Sequence, residues 1–175
     1  MEIDTDVSRM IAEGCPNDPP EPPATSRPTR VYVASSWRNK LQPAVVSMLR
    51  HAGLDVFDPR AQTHCSAWRE IYPGFVAGLW TNQQWREALR HDVATAGYAG
   101  IRGGMDWADV CVLVLPCGRS AHLEAGFMAG QGKRVITFAI DPVEPELMSL
   151  LLGSPDEICT TCGELFRALG VQRLR

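Results

Sequence analysis

No apolar run in this chain approaches the roughly 20 residues that a membrane-spanning helix needs. The opening MEIDTDVSRM also lacks the basic flank and apolar core of a secretory signal. A cytoplasmic protein with no membrane association is the expectation. Basic residues are not in excess: 17 Lys and Arg stand against 20 Asp and Glu, for a formal charge of -3. Binding to a nucleic-acid polymer, which rests on a basic face, is not expected. Six cysteines are present, but their irregular spacing in a chain without a secretory signal argues for free thiols. Cys159-Thr-Thr-Cys162 alone has metal-like spacing, and no second CxxC or HxxxH follows to complete four ligands. No metal site is assigned.

What the chain does have is enough apolar material for a core: 45% of its 175 residues are hydrophobic, which suits one ordinary globular domain. Residues 15–28, CPNDPPEPPATSRP, hold six prolines and almost no large apolar group. Residues 1–28 are therefore read as a disordered leader, and 29–175 as the folded domain. From Thr29 on, strand and helix patterns alternate. RVYVAS is a β-rich run. A helix is expected around Pro43 to Ala52, stopped by Gly53, and then LDVFD forms a second strand. Pro59 to Trp80 has no clear period and reads as an elaborated loop near a site. Thr81 with Gln84 forms a capping-box signal for a helix running to about Ala96. VCVLVL reads as a buried central strand, AHLEAGFMAGQG as a helix, RVITFAI as a strand, EPELMSLLL as a short helix and EICT as an edge strand. Thr161 and Glu164 cap a last helix. This order predicts a doubly wound, flavodoxin/Rossmann-like α/β fold: about five parallel strands in a three-layer sandwich.

Such sheets bind ligands beyond the carboxyl ends of their strands, where the strand order reverses. That edge selects Ser35, Ser36 and Trp37 after the first strand, Asp58 after the second, and the segment Pro116 to Glu124 after the third. With Ser120 as N-cap, Glu124 is the fourth helical residue and misses the capping-box position by one. It shares a helix face with Ala121, Phe127 and Met128, an apolar stripe. A carboxylate there is half buried or faces a cleft. The nearby helix start is expected to favour its ionised form, and a partly desolvated carboxylate is a good nucleophile toward an electron-poor sugar carbon. Gly118, Arg119 and Ser120 offer close backbone approach, a cation and a hydroxyl, which suit an anion or a sugar hydroxyl. The residues alone leave Glu124 open between a functional carboxylate and a polar helix-start residue. Tyr32 is open between a buried core phenol and a partner of Glu124, and Asp92 is open between a solvated carboxylate and a functional one. One of Asp106 and Asp109 is expected to cap or close the turn before VCVLVL.

Taken together, these segments resemble the nucleoside 2-deoxyribosyltransferase family. RVYVASSW is similar to its opening strand, and HDVATAGYAGIRGGMDWADVCVLVL to its segment with an Asp on a helix and a second Asp opening the central strand. SAHLEAGFMAGQGKRVI is similar to the family's signature around the catalytic glutamate, and PELMSLL to its late Leu-Met-Ser segment. The resemblance runs over roughly residues 30–170 in the same order.

The resemblance implies a glutamate nucleophile at Glu124, a phenol at Tyr32 that orients it, and nucleobase proton handling by Asp92. It also implies that Met148 contributes to the pocket of an adjacent protomer, hence a homo-oligomer with shared sites. Nucleosides or nucleotides are the implied substrates, and no metal or other cofactor is required. The chain departs from the family at Ser120-Ala121, at Gly118 in place of an acidic residue near the sugar, and at Glu146 in place of a late Asn. Relatives acting on nucleoside monophosphates carry small or hydroxyl residues where the acidic group stood. Gly118, Arg119, Ser120 and His122 fit that direction. Cleavage of the nicotinamide bond of NAD, a nucleotide-binding module without turnover, and a purely structural scaffold are the alternatives.

Overall fold

The computed structural model describes residues 27–62 and 81–171. The proline-rich leader and most of the Pro59 to Trp80 segment lie outside them. Two compact units are formed, one from residues up to Phe57 together with Ala108 onward, the other from Asp58–Trp107.

The first unit holds a five-stranded sheet. β1 (Arg30–Ser35), β2 (Asp55–Phe57), β3 (Val110–Val114), β4 (Arg134–Phe138) and β5 (Ile158–Cys159) run parallel in the order β2-β1-β3-β4-β5. This is the expected α/β architecture, in the flavodoxin-like order. β1 and β3 are apolar on both faces, as central parallel strands are when helices cover both sides. On one face Val31, Val33, Val110, Val112, Val114, Ile136 and Phe138 pack with α1 (Gln42–His51) and α5 (Cys162–Ala168). Val45, Val46 and Leu49 of α1, with Leu165 and Phe166 of α5, complete that core. The alternate residues of β1 and β3, Tyr32, Ala34, Cys111 and Leu113, point to the other face. There α4 (Arg119–Gly130) packs on β1, β3 and β4 and buries Ala121, Ala125 and Met128.

Local signals explain most of the element ends. Pro43 sits in the first turn of α1, where its missing N–H costs nothing, and Gly53 follows at φ 80. The capping box of Thr161 and Glu164 is formed at the start of α5. Cys159 and Cys162 lie in the apolar core, and both are free thiols. Asp109 neither caps nor closes a turn. It accepts from the Arg30 backbone N–H at 3.0 Å and from the Arg30 and Arg27 guanidinium groups at 2.9 Å. Those bonds hold its carboxyl far below the usual carboxylate range and pin the start of β3 to the start of β1.

In the second unit the capping box of Thr81 and Gln84 is also present, but the helix it starts is shorter than expected. α2 (Asn82–Ala88) ends where the Arg90 and His91 amides bond back only three residues. α3 (Asp92–Trp107) then begins afresh and runs to the edge of the strand-forming segment. His91 makes this restart possible, because its Nδ1 accepts from the Val93 N–H at 3.2 Å. Asp106 is helical and pairs with Arg102 one turn earlier. Among the described residues no helix is long and apolar enough to cross a membrane.

Candidate active site

The strand order reverses between β1 and β3: the chain moves from β1 outward to β2, then crosses to the other side of β1. Loops leaving the carboxyl ends of β1 and β3 diverge there, which opens the crevice where α/β sheets hold ligands. The residues after β1 are Ser36 to Leu41, and those after β3 are Leu115 to Gly118.

α4 starts two residues earlier than its sequence suggests. Gly118 is the N-cap, in extended conformation at φ -95 and ψ -177, and no side chain caps the helix. Its carbonyl accepts from the His122 amide at 3.4 Å. Ser120 therefore lies inside the first turn, and Glu124 becomes the sixth helical residue. Because the helix-end field fades within the first turn, Glu124 receives little of it. Burial dominates instead. Its carboxyl is pushed up to about 7, chiefly by desolvation, with the neighbouring Tyr32 phenol pulling the other way. This corrects the expectation of a firmly ionised carboxylate: near neutral pH, Glu124 is divided between its two forms.

The surroundings of Glu124 follow from the sheet register. Tyr32 pairs with Phe57 on β2 and Cys111 on β3, so all three share the α4 face. The Tyr32 and Phe57 rings stack at 5.5 Å with an interplanar angle of 12°. Such a contact restricts the phenol ring. Glu124 lies close enough to the Cys111 and Cys117 thiols to disfavour their ionisation, and burial, the larger cause for both, takes Cys117 up to about 11. Neither thiol is a thiolate at neutral pH. Of these three groups, the Glu124 carboxyl is the one that titrates near neutral pH.

The other residues singled out from the sequence occupy varied places. Ser35 Oγ donates to the Val114 carbonyl at 2.9 Å, joining the ends of β1 and β3. Ser36 Oγ accepts from the Arg38 amide, and Trp37 is half buried in the same turn. Arg119 and Ser120 are exposed at the first turn of α4. His122 Nδ1 lies 3.0 Å from the Gly118 carbonyl and 3.4 Å from Cys117 Sγ. Asp58 accepts from the Arg60 amide at 2.9 Å as the cap of a short 3-10 turn, Pro59–Ala61, a local structural job. Asp92 is exposed at the first position of α3 in the second unit. Met148 is 56% exposed on the 3-10 turn Leu147–Leu151, beside Leu147 at 76% and Leu151 at 69%. Glu146 caps that turn by accepting from the Met148 amide.

Sequence reasoning missed Asn39. It is 7% exposed, with Nδ2 donating to the carbonyls of Val114 at 3.3 Å and Pro116 at 3.1 Å. Its Oδ1 accepts from the Leu41 amide at 2.8 Å. In SSWRNK an asparagine reads as an ordinary turn residue, and nothing local distinguishes it from one that reaches another strand.

Among solved structures, a 2-deoxyribosyltransferase from Bacillus psychrosaccharolyticus is similar to this chain. The likeness is one of fold. Identity is 20%, the match covers 69% of this chain and 79% of that one, and the TM-score is 0.47. No family model and no curated protein matches the chain.

Proposed function

We propose that this protein cleaves the N-glycosidic bond of a nucleoside or nucleoside 5′-monophosphate through a covalent intermediate on Glu124. The observation that carries the reading is a desolvated carboxyl beside a phenol stacked on Phe57, on the face that leads to the topological switch point. A carboxyl that titrates near pH 7 and, among the described residues, makes no ion pair suits nucleophilic catalysis. A Glu124 carboxylate oxygen attacks the anomeric carbon, and the C–N bond breaks with its electron pair staying on the base. By the family resemblance, Asp92 supplies the proton that the departing base takes up. Attack by water, or by a second base, on the glycosyl ester then frees Glu124. Two displacements at one carbon give retention.

The flank of Glu124 favours a phosphate-bearing substrate. Arg119 and Ser120 stand exposed in the first turn of α4, beside free amides. At Gly118 an added Cβ would meet nothing within 4 Å, so Gly118→Asp fits the fold and places a carboxylate beside any bound phosphate. Like charges so placed are strongly unfavourable. The substitution is expected to lower the ratio of kcat/KM for a 5′-monophosphate over its nucleoside at least tenfold. An unchanged ratio removes Gly118 from the phosphate end. The exposed apolar side chains of Leu147, Met148 and Leu151 fit a contact between copies of this chain, in which Met148 lines a neighbour's site.

A panel of nucleosides and 5′-monophosphates, incubated with wild type and Glu124→Ala, tests the reading. Base release by the wild type that is lost in the variant supports it. Release confined to nicotinamide from NAD would redirect it to that substrate. Calorimetric binding of a nucleotide without any release would make the protein a binding module, and no binding of any nucleotide would leave a scaffold.

A further inference from the structure

The loop after β3 leads from the carboxyl edge of the sheet into the helix that carries Glu124. A buried side chain from the neighbouring strand's loop holds it. Asn39 Nδ2 spans the Val114 carbonyl, the last of β3, and the Pro116 carbonyl in the loop itself. Its Oδ1 holds the Leu41 amide at the entry to α1, a helix whose own N-cap, Leu41, contributes no side-chain bond. The Asn39 backbone N–H completes the turn by donating to the Ser36 carbonyl at 3.0 Å. The side-chain nitrogen and oxygen together thus hold three backbone groups, at Val114, Pro116 and Leu41. A buried arrangement of this kind is rigid when fully satisfied and costly when broken.

We infer that Asn39 is a positioning residue for the reaction: it locks the Leu115–Gly118 loop to the β1 loop and so sets where α4 presents Glu124. The functional half of this inference rests on the N-glycosidic reading above; the structural half does not. Ser35 bonds the Val114 carbonyl, whereas Asn39 bonds both that carbonyl and Pro116 and so ties the loop to β1. A nucleophile moved by a fraction of an ångström loses rate steeply, by roughly 100-fold for about 1 Å. A loosened loop therefore shows in kcat before it shows in the fold.

Asn39→Asp separates the two arms of the bracket. It is isosteric and keeps an oxygen for the Leu41 amide, but it places a second oxygen against the two carbonyls that Nδ2 had served. Val46→Ala, a truncation in the core on the α1 face, serves as a control that lowers stability without touching the loop. Amide hydrogen exchange of residues 115–122 is expected to speed up at least tenfold in Asn39→Asp and to be unchanged in Val46→Ala. In the base-release assay kcat is expected to fall at least tenfold in Asn39→Asp only. Exchange and kcat in Asn39→Asp that match Val46→Ala would overturn the inference. Should the wild type release no base, the reaction reading fails on its own. The exchange data then decide whether Asn39 locks the loop.

Discussion

Replacing Glu124 by Gln is expected to make the protein more stable at pH 8 while removing its turnover. Burial raises the carboxyl from an ordinary 4.5 to about 7. The folded state therefore binds the proton more tightly than the unfolded chain does, and stability falls as pH rises from about 4.5 to about 7. Above that window the full cost is present, on the order of 3 kcal/mol for a shift of this size. Gln carries no charge to desolvate and still offers an oxygen to the Tyr32 phenol. In thermal melts the variant should exceed wild type by roughly 5–10 °C at pH 8. The two curves should converge below about pH 4.5, where the wild-type carboxyl is protonated in both states. A gain independent of pH would mean that the glutamate ionises without strain. Such a gain in stability on loss of a functional group is the usual signature of a site held against its own preference.

The second large effect concerns the pH profile. Only the ionised carboxylate attacks, so kcat/KM is expected to rise with pH to a plateau above about 7. The Tyr32 phenol favours the ionised form and holds that midpoint down. Tyr32→Phe removes the hydroxyl and leaves the ring to stack on Phe57, so the rising limb should move to higher pH. At pH 6.5 the variant should therefore keep a smaller fraction of its own plateau than wild type does. A limb that stays in place in Tyr32→Phe would show that the phenol does not tune Glu124. These measurements separate tuning from packing because stability need not follow the limb.

Much of the fold is legible in the sequence. Apolar runs at VYVA and VCVLV, alternating with helical patterns, dictate a parallel sheet covered on both faces, and capping residues mark the starts of α2 and α5. Local patterns fail where one residue serves two ends. The break between α2 and α3 depends on His91, whose ring caps the second helix, and histidine is not among the usual cap residues. The start of α4 is another instance. Ser120 has the chemistry of a cap, yet Gly118 takes the position because its backbone stays extended where the chain leaves β3, and two residues of shift remove Glu124 from the helix-end field.

The candidate site is legible to a lesser degree. Glu124 stands out because its helix face is apolar, and Tyr32 because parallel strands carry it toward that face. Their proximity and the stacking of Phe57 arise from register across three elements, which no single segment encodes. Asn39 is the extreme case: its partners lie 75 and 77 residues away. Asp58 shows the converse, a residue chosen by its place at a strand end whose observed bond caps a local turn.

The covalent ester is the claim on which the rest depends, and its most direct measurement is peptide mapping by mass spectrometry after quenching the protein in acid during turnover of a nucleoside 5′-monophosphate. The account predicts a peptide containing Glu124 that is heavier by one glycosyl phosphate unit in wild type and unmodified in Glu124→Gln. Steady base release with that peptide unmodified, or with the sugar attached to another residue, would contradict it.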